Sequence, residues 1–225
     1  MKRIPLAERP VPGISRGDEI FSMVVSIVIA AVSIVLTVLF FAFSFLHHNY
    51  LALFGGLFCG VTIIVRYTIS AVYHGLEPPT AKKVFQVLDH CSTYLMIIGI
   101  YFFFAFIIAQ DYIQLSIISA AAAFAVSSVG IVFSAIDFKT YSVLANGSMG
   151  AIGLAFPLVV WPLYVLYGKE CMIYLIAGGL LYVVSLIFFL YRKKIKGFGG
   201  IYRIISLLAI LTHFTGVFIY CVLKH

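Results

Sequence analysis

Charge is what this sequence is short of. Asp, Glu, Lys and Arg together make up 10% of its 225 residues, against 63% hydrophobic and 16% aromatic, and its mean hydropathy is +1.13. A water-soluble domain carries roughly a quarter charged residues, so a globule dispersed in water is excluded. Paired cysteines are missing too: Cys59, Cys91, Cys171 and Cys221 are dispersed, with no C-x-x-C and no metal-ligand spacing, and read as small apolar fillers. A cleavable secretory signal is not expected, because the first apolar stretch, near Phe21 to Phe45, is long enough to stay as a span. No basic domain stands apart from the apolar stretches, so the net charge of +7 does not point to nucleic acid.

What is present is a repeated apolar run. A helix needs about 20 mostly apolar residues to cross a bilayer core. Such runs fall at about 20–46, 50–73, 87–109, 112–135, 142–166, 171–191 and 199–223, after a short arm over 1–19. The fold class predicted is all-α: a single polytopic membrane domain over 20–225, a bundle of seven transmembrane helices. Lys and Arg set its orientation, since cytoplasmic connections retain positive charge. Lys2, Arg3, Arg9 and Arg16 occupy the arm, Lys82 and Lys83 the second connection, Lys139 the fourth, and Arg192, Lys193, Lys194 and Lys196 the sixth. The alternate connections contain His47-His48-Asn49, Gln110-Asp111 and Gly168-Lys169-Glu170, and the tail ends at Lys224 and His225. The N-terminus is therefore expected in the cytoplasm and the C-terminus outside, with the plasma membrane as location.

Several features read as structural. Trp161, Tyr164, Tyr167 and Tyr174 suit an interfacial aromatic belt. Gly147, Gly150, Gly153, Gly178 and Gly179 offer close helix approach, and Pro157 and Pro162 should kink or end the fifth span. His47, His48 and His225 lie at expected outer ends, where a solvated imidazole needs no explanation.

Ionisable groups inside apolar spans are costly and mark sites. Ser70 and His74 stand i, i+4 near the cytoplasmic end of the second span, with Arg66 one turn further on the same face. Asp89 and His90 open the third span from that side, and Arg203 lies one turn into the seventh. Bland alternatives exist for each: Arg66 snorkelling, Ser70 bonding its own helix, Asp89 capping the third span.

The order Ser70-Ala71-Val72-Tyr73-His74, then Leu88-Asp89-His90, then the glycine-rich Ala177-Gly178-Gly179-Leu180-Leu181-Tyr182 in the sixth span resembles the hemolysin III family, within the superfamily of progestin and adiponectin receptors. The likeness runs from about residue 17 to the end. It implies a seven-helix bundle and a zinc site held by the histidine of S-x-x-x-H and two more from an H-x-x-x-H motif opening the seventh span, with an aspartate orienting the metal-bound water. His74 matches the first ligand and Asp89 the aspartate. The seventh span departs: with His213-Phe214 aligned to the family's later histidine and phenylalanine, Gly199 and Arg203 occupy the two remaining ligand positions. With His213 itself as a ligand, its i−4 and i+4 neighbours are Ala209 and Val217. No metal or other cofactor is therefore expected, and zinc only under a different register of the seventh span. In its place an internal Arg203–Asp89 ion pair is expected to brace the bundle, with Arg66 snorkelling. The alternative is that the surplus cation meets an anionic lipid or a fatty acid.

Three functions follow, in this order: a non-catalytic protein of lipid sensing or homeostasis whose partners are membrane lipids; a metal-dependent lipid amidase or hydrolase of the ceramidase-like kind, with Ser70, His74 and Asp89 at family-like positions; and a pore-forming cytolysin.

Overall fold

Every regular element is a helix among the residues that the computed structural model describes, 13–137, 140–154, 156–192 and 195–223. Of the residues used for orientation or as solvated histidine, Lys2, Arg3, Arg9, Lys139, Lys193, Lys194, Lys224 and His225 lie outside that set. The helices are α1 (Arg16–Leu46), α2 (Tyr50–Gly75), α3 (Pro79–Ile108), α4 (Ile113–Asp137), α5 (Ser142–Leu154), α6 (Pro157–Tyr191) and α7 (Phe198–Val217), the last continuing into a π turn, Phe218–Leu223. Six stretches among the described residues are long and apolar enough to cross a membrane; α5, with 13 residues, is not one of them. The chain is an integral multi-pass membrane protein.

Local chemistry explains the ends. Ser15 caps α1, its Oγ accepting from the Asp18 N–H at 3.2 Å, and Asp18 and Glu19 put negative charge at the positive end of the helix dipole. Asn49 caps α2 in the same way and donates from Nδ2 to the Cys221 carbonyl, 3.0 Å. Pro79 opens α3, where no backbone donor is needed. Pro157 does so for α6, two residues after α5 has ended, so the run over 142–166 is two helices rather than one.

Helix α1 carries a small polar stripe on its inward side and an apolar outward face. α1 turns Glu19, Ser22, Ser26, Ser33 and Ser44 inward and exposes Val24, Val28, Val35 and Val38. Small polar side chains let backbones approach, while the outward face dissolves in hydrocarbon. Gly178 works similarly in α6: a side chain there would collide with the ring of His213, whose Nε2 donates to the Leu175 carbonyl at 2.9 Å and ties α7 to α6. Gly147, read above as a packing glycine, instead faces empty space. Trp161 and Tyr164 are exposed side by side, as an interfacial belt requires.

Helix α6 is interrupted at Gly168, whose φ of 79° and ψ of −178° suit glycine. Contacts on its two sides run in opposite senses. Before it, the chain follows α3: Tyr94 donates to the Ala145 carbonyl, Tyr101 to that of Ile152, and Phe104 meets Phe156. After it, the chain opposes α7: Tyr174 meets Tyr220, Leu175 meets His213, and the Ser185 hydroxyl donates to the Tyr202 carbonyl at 2.9 Å.

Candidate functional site

One end of the bundle gathers nearly all of its buried charge. Four helix ends meet there because the first turn of α1 accepts hydrogen bonds from the others: Asp18 Oδ1 from the Gly197 N–H at 2.7 Å, and Glu19 from both His74 on α2 and Lys82 on α3. Gly197 can present that N–H because it sits at φ 82°, turning the chain into α7.

Deeper in, the Arg66 Nη1 donates to Asp89 Oδ1 at 2.6 Å, both residues being less than a tenth exposed. Three expectations are corrected here. Asp89 pairs with Arg66 and not with Arg203, so Arg66 does not snorkel; it lies against the Tyr67 ring, its charge turned inward. Nor does Asp89 cap a helix, since α3 begins ten residues earlier, at Pro79. Its carboxyl also lies in the fields of Arg203, His90 and His74. His90 is buried beside it on α3.

Arg203, 2% exposed, spends its guanidinium on neutral acceptors. One Nη donates to the carbonyl of Gly199, a turn back on α7. The other donates to Ser70 Oγ at 3.1 Å and to His74 Nε2 at 2.6 Å, and Nε has no hydrogen-bond partner. Ser70 Oγ also accepts from Ser26 Oγ at 3.4 Å. The Tyr202 ring lies 4.6 Å from the Arg203 Cζ and offers its π face to the cation.

This network assigns the protonation of His74. A guanidinium has donors only, so His74 Nε2 must offer its lone pair to Arg203; the hydrogen of a neutral imidazole is then on Nδ1, donated to Glu19. Glu19 Oε1 accepts from Lys82 Nζ at 2.8 Å. Ser70, His74 and Arg203 share one hydrogen-bond network to which Gly199 contributes a backbone oxygen, and the Arg66–Asp89 pair lies in the field of Arg203. Glu19 and Lys82 were missed. Glu19 shares a face with Ser22 and Ser26, at i, i+3 and i+7, which is a readable signal of an inward stripe. Lys82 has none, because a lysine between spans looks like topology alone.

Fold and site define a class: a helical integral membrane protein with buried, hydrogen-bonded charges at one end. Residues 18–214 match the haemolysin-III related family, and the chain belongs to it. Among curated relatives, "Hemolysin-3" of Bacillus cereus is 28% identical over 134 residues, and "Hemolysin-3 homolog" of Bacillus subtilis (strain 168) 25% over 134. Each match covers 60% of this chain, and 60% and 62% of the respective relatives' own length. No solved structure matches.

Proposed function

We propose that this chain is a metal-free, non-catalytic haemolysin-III protein acting in membrane lipid sensing or homeostasis, in the wider superfamily of progestin and adiponectin receptors. One observation carries the reading: the His74 Nε2 lone pair, the family-like ligand atom, is engaged by the Arg203 guanidinium at 2.6 Å. A zinc ion needs three or more neutral or anionic donors, and a fixed cation at the same atom opposes it. Among the described residues no group of three or more His, Cys, Asp or Glu is disposed to hold a metal. The donor set does not fit zinc. The lipid assignment is supported by the apolar outer faces and by an apolar cavity of about 70 Å³ lined by Ile63, Phe103, Ile210 and Phe214 among others. That apolar lining also favours lipid over a water-filled cytolytic pore.

The test is metal analysis of purified protein with mass spectrometry of co-purifying lipids. The expected result is well under one equivalent of zinc, a melting temperature indifferent to chelators, and retained lipid. Stoichiometric zinc lost with His74→Ala would restore the hydrolase reading.

Seven membrane traverses with the N-terminus inside belong to the same proposal. Gly168 and the opposed contacts on its two sides support a reversal there. Arg16 opens α1, Lys82 and Lys83 lie near the start of α3, and Arg192 and Lys196 lie between α6 and α7, which orients that end toward an anionic cytoplasmic leaflet of the plasma membrane. In a cysteine-free background, single cysteines at Lys83 and Lys196 are expected to resist an impermeant thiol reagent in intact cells, and one at Glu170 to react. Labelling at Lys196 from outside would reverse the orientation.

A further inference from the structure

The apolar cavity between α1, α2, α3, α6 and α7 has polar groups in its wall that the rest of the bundle does not answer. Small polar side chains of α1 elsewhere return their hydrogen to a carbonyl one turn back: Ser26 to Ser22, and Thr37 to Ser33. Ser33 is different. It is 3% exposed, lines the cavity, and its Oγ has no hydrogen-bond partner. On α7, His213 lines the same cavity and donates from Nε2 to the Leu175 carbonyl, so a neutral imidazole has its lone pair on Nδ1. The Nε2–Cδ2 edge of that ring is pressed against Gly178, where a Cβ would collide with both atoms, which leaves Nδ1 on the edge turned away from α6. A buried hydroxyl and a buried imidazole nitrogen are each costly without a hydrogen-bond partner. We infer that this cavity is a binding site for an uncharged membrane alcohol, whose hydroxyl donates to His213 Nδ1 and accepts from Ser33 Oγ.

The chemistry of the lining selects the ligand. Among the described residues that line the cavity there is no Asp, Glu, Lys or Arg, so a carboxylate or phosphate would enter without a counter-charge. The lone pair of Nδ1 requires a donor, which an ester, an ether or a ketone does not have. A hydroxyl donates and accepts, and so matches His213 and Ser33 together. Tyr182 of α6, its ring 5.6 Å from that of His213, adds a phenol to the wall, and phenylalanines make much of the remainder apolar. Size sets how much of the ligand is held: about 70 Å³ is roughly half of the space that takes a benzene ring, enough for a hydroxyl and a few methylenes. Leu36 and Thr37 on α1 and Phe214 on α7 are partly exposed at the rim, so the rest of the chain leaves sideways into the bilayer. Ser33 stands near the middle of α1, a depth at which hydrocarbon offers the ligand hydroxyl no competing partner.

This inference rests on the lipid-binding reading proposed above, and the experiment separates the two. Full-length protein in lipid nanodiscs is photolabelled with hexadecanol carrying a diazirine beside the hydroxyl, and in parallel with the matching ionised hexadecanoate and hexadecyl methyl ether. Labelled peptides are mapped by mass spectrometry. The expected result is labelling by the alcohol of α1 near Ser33 and of α7 near His213, displaced by excess unlabelled hexadecanol, with neither the acid nor the ether reaching these residues. Ser33→Ala should raise the alcohol concentration for half-maximal labelling by roughly fivefold, the effect of losing one hydrogen bond. Without alcohol its unfolding temperature should be unchanged or higher, since an unpaired hydroxyl has been removed. In histidine-labelled 15N NMR spectra, with His213 assigned from His213→Gln, hydrogen should stay on Nε2 and the Nδ1 signal should move when unlabelled hexadecanol is added. No label at Ser33 and His213, equal labelling by acid or ether, label confined to outward residues such as Val28 and Val35, unweakened binding in Ser33→Ala, or an unmoved Nδ1 signal would overturn the alcohol site. Should His213→Gln fail to fold, the labelling and Ser33→Ala decide. A protein that retains other lipids but shows none of these effects fails the alcohol site only; one that retains no lipid fails the reading beneath it as well.

Discussion

Replacing Arg66 by Met, or Asp89 by Asn, is expected to destabilise the protein by about 3–5 kcal/mol, the cost of leaving one buried charge without its partner. The size follows from burial: the two side chains are 6% and 11% exposed and meet at 2.6 Å, so neither recovers hydration when the other is removed. The double change should be much milder than the sum of the singles, because no charge is left stranded. Arg203→Met with Asp89→Asn is the control. Arg203 sits on His74, Ser70 and the Gly199 carbonyl, and acts on Asp89 through its field only, so that cycle should show the weaker coupling. Unfolding of all variants in one lipid or detergent reads both couplings, and a larger value for the Arg203 cycle would mean that Asp89 is paired the other way.

Gly199→His with Arg203→His is expected to create metal binding, at about one zinc per chain, from three imidazoles with an open fourth position. The change removes the guanidinium from His74 Nε2 and leaves Glu19 on Nδ1, where a carboxylate orients a ligating histidine. Space is the obstacle: a Cβ at Gly199 would lie 3.0 Å from Ser22 Oγ, so Ser22→Ala belongs in the same protein. Zinc measured after dialysis should fall away again when His74 is changed to Ala. Failure of the triple variant to take up zinc, while folded, would show that residues 199 and 203 do not face His74 in the register of α7 described above.

The parts of this site that share one helix were readable in advance, and those that join helices were not. Arg66, Ser70 and His74 follow from a period of 3.6 residues, whereas Asp89, expected to open its span, lies ten residues into α3. Which arginine meets Asp89 depends on the rotation of α2 and α7 about their own axes. Pattern does not encode that rotation, and the pairing expected for Arg203 was wrong for this reason. Glu19 escaped because it was assigned to a solvated arm, although Ser15 three residues before Asp18 announces a helix start and the serines that follow carry Glu19 inward. The helices overlap the apolar runs, but α3 begins at Pro79, ahead of the run over 87–109, and Pro157 divides the run over 142–166 between two helices.

The bond from the Gly197 amide to Asp18 joins residues 179 positions apart. At synthesis rates of about 5–20 residues per second, Asp18 waits roughly 10–40 s for that partner to leave the ribosome. His74 and Lys82 arrive much sooner, so during translation the start of α1 is first held by the second and third helices, and the last helix closes a ring already two-thirds made. A chain that stops before Gly197 leaves Asp18 without that backbone donor. Synthesis of the start of α7 is thus registered at the first turn of α1.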